Sequence, residues 1–276
     1  MPAAALTLAL LSAVLHVTWN YLVKTSRDRL ATAWAVATGA ALISVIVLAV
    51  RGGPVRDALP NVLWSGAIHT VYWTSLAAVY GRADFSVAYP VARGAAPVLV
   101  AIGGFVFLGE RLGGVAVAGV IVVTVSVFAA AYVPGDARSA AFALLTGGAI
   151  ACYTLVDAAG VRIADDALSY TSAVAVSSGV MLTPVVVAVR GLRSLVAAMS
   201  GRVMRLAGAG GLSLAAYAMV LGAALLAPIG LVAAARETSV VIGAVAGAVL
   251  LREGMGARRI SASVAIVAGV VLLGAA

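Results

Sequence analysis

Apolar runs of about twenty residues follow one another along the whole chain, separated by short connections that carry arginine, proline or glycine. Crossing a ~30 Å hydrocarbon core takes roughly 20 apolar residues in a helix. The pattern predicts ten transmembrane helices: Ala3–Val23, Ala31–Val50, Leu59–Tyr80, Phe85–Leu108 and Leu112–Val133, then Ser139–Gly160, Ala167–Val189, Leu206–Leu226, Ile229–Leu251 and Ile260–Ala275. The uncharged stretch from Leu206 to Ala235 is too long for one ordinary span, and Pro228 is its natural break. Only Arg51–Ala58 and Arg190–Arg205 are longer connections, so no soluble domain is hidden between the spans.

The polar positions inside these runs repeat. Arg93 is followed 17 residues later by Glu110, and Arg236 by Glu253, with 143 residues between the two pairs in a chain of 276. An arginine at the centre of a spanning helix costs ~2.5–3.5 kcal/mol on insertion scales, so two at matching places point to a duplicated unit and a shared polar interior. The segments "VARGAAPVLVAIGGFVFLGERL" and "AARETSVVIGAVAGAVLLREGM" align without a gap. At a different offset, His16–Asn20 in "HVTWNYLVK" aligns with Tyr153–Asp157 in "CYTLVDAAG". Five spans per copy is an odd number, so the second copy must enter the membrane from the opposite side. The expected fold is therefore all-α and integral to the membrane, with ten transmembrane helices as two inverted five-helix repeats, residues 1–134 and 135–276. Inverted repeats of this kind place a binding site near the bilayer midplane, between the halves. Pairs such as Gly103–Gly104 and Gly147–Gly148 fit close helix packing.

Composition agrees with the pattern. Hydrophobic residues make up 63% of the chain and charged ones 10%, with a mean hydropathy of +1.13. A soluble surface of this size needs far more charge. The expected location is a cell membrane, inner or plasma, crossed many times. One cysteine, Cys152, and two histidines, His16 and His69, leave no material for an internal disulfide or a metal cluster. The apolar N-terminus lacks a basic leader and is read as a first span. The formal charge of +8 lies mostly in connections, where it sets topology rather than binding nucleic acid. Counting Lys and Arg by side gives twelve against four and would place both termini outside, a bias carried by the second half.

Candidate site residues are the polar and aromatic groups far from the helix ends. Arg93 lies about nine residues into its helix, roughly 13 Å deep at 1.5 Å per residue, too deep to snorkel easily. Pro90 and Pro97 flank it and free backbone carbonyls. Arg236 is comparably deep with Glu237 beside it, and adjacent helical residues point about 100° apart, so one faces a cavity and the other a neighbouring helix. Asp157 is either a structural partner of an arginine or a proton-coupling group, with Tyr153 one turn earlier on the same face. His16 and Asn20 share a helix face with Trp19, and His69, Trp73 and Tyr80 form a stripe with Tyr72 beside it. Tyr80 and Trp64 fit an interfacial aromatic belt, whereas Trp19, Tyr72 and Trp73 fit a cavity wall or core packing. Tyr89 and Tyr217 are weaker candidates of the same kind. Glu110 and Glu253 end their helices beside basic residues and suit interfacial pairing or gating. No phosphate-cradling Gly-Lys-Ser/Thr loop, HExxH motif or nucleophile–base set is present, so neither ATP drive nor an enzyme is expected.

These residues resemble a known family. "AYPVARGAAPVLVAIGGFVFLGERL" (Ala88–Leu112), its echo ending at Glu253, "HVTWN" and "YTLVD" are similar to the EamA-domain, two-repeat branch of the drug/metabolite transporter superfamily. The resemblance covers essentially the whole chain. It implies a basket of ten helices whose cavity is walled by spans 1, 3, 4, 6, 8 and 9, export or exchange of small metabolites such as amino acids, and cytosolic termini, against the charge count. The matching positions are Pro90, Arg93 and Glu110, with Glu253 in the second repeat. The chain departs from the pattern in Arg-Glu-Thr at 236–238, where the first repeat has Arg-Gly-Ala. Single-repeat relatives couple protons through a helix-1 glutamate, which this chain lacks.

The expectation is a secondary transporter, exporter or exchanger, of small polar or zwitterionic metabolites by alternating access. Arg93 and Arg236 would attract an anionic group, with His16, Trp19, Asn20, Tyr72, Trp73, Tyr89, Tyr153 and Asp157 completing the site. Asp157, Glu237, Glu110 and Glu253 are the candidates for coupling or gating, with protons a candidate coupling ion and the driving ion left open by the sequence. The alternatives are an exporter of hydrophobic cations or drugs, selected by Asp157 or Glu237, and a non-transporting membrane subunit or lipid-handling protein. Expected partners are a small solute and the lipid bilayer, with no cofactor, metal or nucleic acid, in a monomer or weak homodimer.

Overall fold

A computed structural model describes the backbone except at residues 25, 27, 53–55, 83–84, 132–136, 201–202 and 251–256. Side chains are described for the remaining residues other than 22, 24, 77–82, 85–95, 130–131, 137–144, 198, 246–250 and 257–259. The described chain is all-α. In order it forms α1 (Ala3–Lys24), α2 (Arg29–Arg51), α3 (Leu59–Arg82), α4 (Phe85–Leu108), α5 (Gly114–Ala131), α6 (Ala137–Ala164), α7 (Ala167–Arg190), α8 (Leu192–Met199), α9 (Val203–Ala224), α10 (Ile229–Arg236), α11 (Thr238–Leu250) and α12 (Ala257–Ala275).

Among the described residues, four helices are long and apolar enough to cross a membrane: Ala3–Tyr21 within α1, then α2, α7 and α9. Ala96–Leu108, Gly114–Ala129 and Ile260–Ala275 are shorter apolar helices. Large apolar side chains such as Leu42, Ile46, Phe105, Phe107 and Val180 point outward. An apolar exterior of that extent suits hydrocarbon and not water. The protein is a multi-pass membrane protein.

Two expected elements differ. The span expected over Ile229–Leu251 is divided at Glu237, where the amide bonds back to Ala234 O at 3.1 Å and tightens the turn between α10 and α11. The connection Arg190–Arg205 contains α8, because Leu192, Leu195, Val196 and Met199 recur at helical spacing; Leu195 is buried while Leu192 and Val196 face outward.

The helix ends explain how α2 and α7 meet. Asp28 caps α2, accepting from Ala31 N at 3.1 Å, and Asp166 caps α7, accepting from Leu168 N and Ser169 N at 3.1 and 3.2 Å. Each cap is also bound by the last-turn arginine of the other helix: Arg190 Nε lies 3.3 Å from Asp28, and Arg51 Nη2 2.8 Å from Asp166. The two helices therefore run antiparallel. Gly52, with φ of +95°, and Gly191, at +76°, turn the chain after those arginines in a backbone conformation that glycine tolerates best.

Around this pair, α1 packs on α9, α3 on α6, α2 on α9, α3 on α7, α4 on α5 and α6, α10 on α4, and α5 on α12. Small residues set the closest approaches. A Cβ on Gly210 would stand 2.5 Å from Ala40 N, and Gly66 is pressed in the same way onto Ser177. Gly119 and Gly269 face each other's carbonyls across the α5–α12 crossing.

Two tests follow from this packing. Gly210→Ala should destabilise the protein by about 1–3 kcal/mol through forced separation of α2 and α9. Gly208→Ala, with open space around it, should leave the melting temperature in detergent unchanged or higher; equal effects of the two would refute the packing account. Burial pushes the Asp166 carboxyl up, but the Ser169 hydroxyl, Arg51 and the Ser169 amide outweigh it and hold it at about 2. Its stabilising contribution is complete above the unfolded value of about 4 and is lost as pH falls through about 2. Asp166→Asn keeps a competent cap but no charge, so its stability deficit at neutral pH should shrink as pH falls from about 4 towards 2.

Candidate functional site

The interior of the bundle holds a cavity of about 80 Å³, room for on the order of five waters. Periodicity brings its walls together. His16 and Trp19 lie one turn apart on α1, Tyr72 and Trp73 lie one turn beyond His69 on α3, and Tyr153 and Tyr217 enter from α6 and α9. Arg236, at the end of α10, supplies the charge. Ala37 and Ala40 of α2, and Thr171 and Ser178 of α7, complete the wall.

Arg236 is 8% exposed. Its Nη2 lies 3.1 Å from His16 Nδ1. A guanidinium only donates, so His16 must accept on Nδ1 and cannot be an imidazolium in this arrangement. Arg236 Nε is buried without a hydrogen-bond partner. Among the described residues, no carboxylate lies within ion-pair distance of this guanidinium. A buried arginine with unfilled donor capacity beside a cavity is built to receive an acceptor, and its planar fork suits a carboxylate.

Aromatic rings enclose the rest. Trp19 stands edge-on to His16 at 5.0 Å and tilts against Trp73 at 5.7 Å. The His69 ring stacks on Tyr153 at 4.0 Å and meets Tyr217 edge-on at 5.7 Å. His69 Nδ1 lies 2.9 Å from Ser65 O and 3.1 Å from Ser65 Oγ. The carbonyl accepts only, so Nδ1 carries hydrogen and Nε2 is left as an acceptor in the neutral ring.

Of the residues expected at a site, His16, Trp19, Tyr72, Trp73, Tyr153 and Arg236 line this cavity. Asn20 is turned along its own helix, donating to His16 O at 2.9 Å. Asp157 lies behind the wall with no exposed surface; Tyr170 donates to it at 2.8 Å and Tyr217 donates to its other oxygen. Its described partners are thus tyrosines rather than an arginine. Glu237 is buried beside Arg236 but outside the cavity lining. Trp64 is 68% exposed on the outer surface. Arg93, Tyr89, Pro90, Tyr80 and Glu253 lie outside the described side chains.

Glu110 is placed at a junction. Both carboxylate oxygens accept from Ile229 N at 3.0 Å, at the start of α10, and Arg162 of α6 pairs with one of them while donating to Ala224 O at 3.3 Å. The carboxylate lies over Gly104, where a Cβ would stand 2.6 Å from Oε2. Glu110 so neutralises the positive end of α10, which Pro228 cannot cap by side chain.

Several residues were not anticipated. The Ser/Thr-rich face "SYTSAVAVSS" of α7 carries Thr171 and Ser178, and an inward polar stripe on a spanning helix was its available signal. Ser65 and Tyr170 stand in patterns indistinguishable from ordinary packing.

No protein-family model and no curated protein matches the sequence. The fold is similar to that of a protein of known crystal structure, over 99% of this chain and 98% of that one, with a TM-score of 0.74 and 15% identity. At that identity the likeness is one of fold alone, and it extends across the whole membrane bundle.

Proposed function

We propose that the protein is a secondary transporter of small carboxylate-bearing solutes, amino acids among them, in a cell membrane. Its ten spans would form two inverted five-helix repeats, α1–α5 and α6–α12, as in the EamA-type branch of the drug/metabolite transporters that the sequence resembles. Several contacts support the repeat. Exchanging the halves turns the α1–α9 contact into α6–α3, and α2–α9 into α7–α3, while α2–α7 and α5–α12 map onto themselves. The reciprocal Asp28–Arg190 and Asp166–Arg51 pairs transform into each other in the same way. Cavity residues pair too, His16 with Tyr153 and Trp73 with Tyr217. The same exchange relates Arg236 to Arg93 in sequence.

The observation that carries the reading is the buried guanidinium of Arg236, with a free Nε beside an aromatic cavity. A solute carboxylate would take the arginine, and an ammonium end would meet the faces of Trp19, Trp73 and Tyr72. Among the described lining residues Arg236 is the sole formal charge, which favours an anionic head group over a hydrophobic cation. Described side chains from seven helices wall the cavity: α1, α2, α3, α6, α7, α9 and α10. The expected wall is thereby widened by α2 and α7. Rocking one half against the other would expose such a site to each side in turn.

The test is a thermal-shift screen of purified protein against small metabolites, followed by flux measurements in liposomes. Arg236→Ala should insert normally but transport at least about 30-fold less, as expected for loss of a buried charge-paired contact. Arg236→Lys should recover only part of the rate, because an ammonium cannot reproduce the fork. Wild-type flux in Arg236→Ala would remove the arginine from the site.

A further inference from the structure

The transport reading leaves Asp157 without a task. It is fully buried on α6, and among the described residues no cation lies within ion-pair distance of it. A lone carboxylate in a low-dielectric interior is so unfavourable that it is either neutralised or surrounded by donors. Here hydroxyls from two other helices converge on it. Tyr170 of α7 donates to Oδ1 at 2.8 Å, and Tyr217 of α9 donates to Oδ2.

One of those two hydroxyls leads to the cavity, which Tyr217 lines. Among the described residues, the other titratable or charged groups on the packed elements are His69 and Tyr72 on α3, Cys152 and Tyr153 on α6, Arg190 at the end of α7, Arg205 at the start of α9, Arg236 on α10 with Glu237 after it, and, at the far end of α6, Arg162 bound to Glu110 from beyond α4. Arg56 and Asp57 of the turn beside α6 are exposed. Arg93 of α4 lies outside the described side chains.

We infer that Asp157 is a proton-binding site loaded from the cavity, and that the Tyr217 hydroxyl, shared between Asp157 and the cavity, joins proton occupancy to solute binding; the inference rests on the transport reading above. An ionised carboxylate only accepts, so it holds the Tyr217 hydrogen. As the Tyr217 hydrogen passes to Oδ2, the Tyr217 oxygen takes a proton from cavity water in its place, and Oδ2 becomes a donor. Tyr217 then accepts from Asp157 and turns its own hydrogen towards the cavity, where it joins Arg236 in donating to a solute carboxylate. Proton and solute load together. When the cavity opens to the other side, the solute leaves, Tyr217 turns back, and Oδ2 returns its proton to water.

The test uses wild type, Asp157→Asn and Tyr217→Phe in liposomes, with an equimolar mixture of labelled common amino acids as probe. Infrared difference spectra between acid and alkaline pH should contain a carboxyl protonation band in wild type and in Tyr217→Phe, and lack that band in Asp157→Asn. Adding the probe outside liposomes that enclose a pH-sensitive dye should acidify the interior with wild type and leave it unchanged with Asp157→Asn. Whatever exchange remains in Asp157→Asn should no longer vary with pH. Tyr217→Phe, losing one hydrogen bond to a charged group, should reduce probe-driven proton flux about tenfold. An unchanged carboxyl band or undiminished proton flux in Asp157→Asn overturns the proton site, and full flux in Tyr217→Phe overturns the switch. Absence of any probe flux in wild type would count against amino-acid transport, while the infrared comparison still decides where the proton binds.

Discussion

A guanidinium held inside a membrane bundle, with no carboxylate within ion-pair distance among the described residues, is the constraint from which the interior follows. Hydrocarbon offers no acceptor, so Arg236 must find its partners within the protein. His16 provides one, and that contact fixes the tautomer of the imidazole. Trp19 then braces His16, and Trp73 braces Trp19. Arg236 Nε is buried without a partner among the described residues. A cavity beside a charge so incompletely satisfied is hard to explain as packing, because neutral side chains of similar volume would fill it at lower cost.

Such a cavity persists only if the surrounding helices are clamped elsewhere. The α2–α7 pair supplies two clamps at its opposite ends, with each N-terminal aspartate held by the other helix's final arginine. These pairs are partly exposed, so each contributes modestly and their value lies in fixing direction and register. Between the clamps, close backbone approaches at Gly210 and Gly66 draw α9 and α3 onto α2 and α7. The tight seams lie at the flanks, and the bulky rings of Tyr72, Tyr153 and Tyr217 meet at the centre, where they cannot close completely.

Much of this was legible in the chain. Apolar periodicity was sufficient for an all-α, multi-pass membrane protein, because segment length and hydropathy are local properties. Residues one turn apart, such as His16 and Trp19, could be assigned to one helix face for the same reason. Partnerships between helices were not legible. Nothing local says that Asp28 meets Arg190, or that Tyr170 and Tyr217 donate to Asp157. Asn20 illustrates the converse: its spacing from His16 suggested a shared ligand face, yet its amide is consumed by the His16 carbonyl one turn back. The break at Glu237 escaped because Thr238–Leu250 is apolar enough to read as a continuation of α10.

Glu110 ties the α4–α5 connection to the cavity's arginine. It does not touch the cavity, but it holds the first amide of α10, and α10 is only eight residues long. At 1.5 Å per residue, Arg236 lies about 10 Å further along that helix. A carboxylate from the α4–α5 connection thus sets the axial position of the cavity's charge, with Arg162 balancing it from α6. Withdrawing Glu110 would free the amide end of α10 and uncover a buried charge at once. Under the proposed transport reading, movement of the α4–α5 connection relative to α6 would act on α10 and through it on the guanidinium.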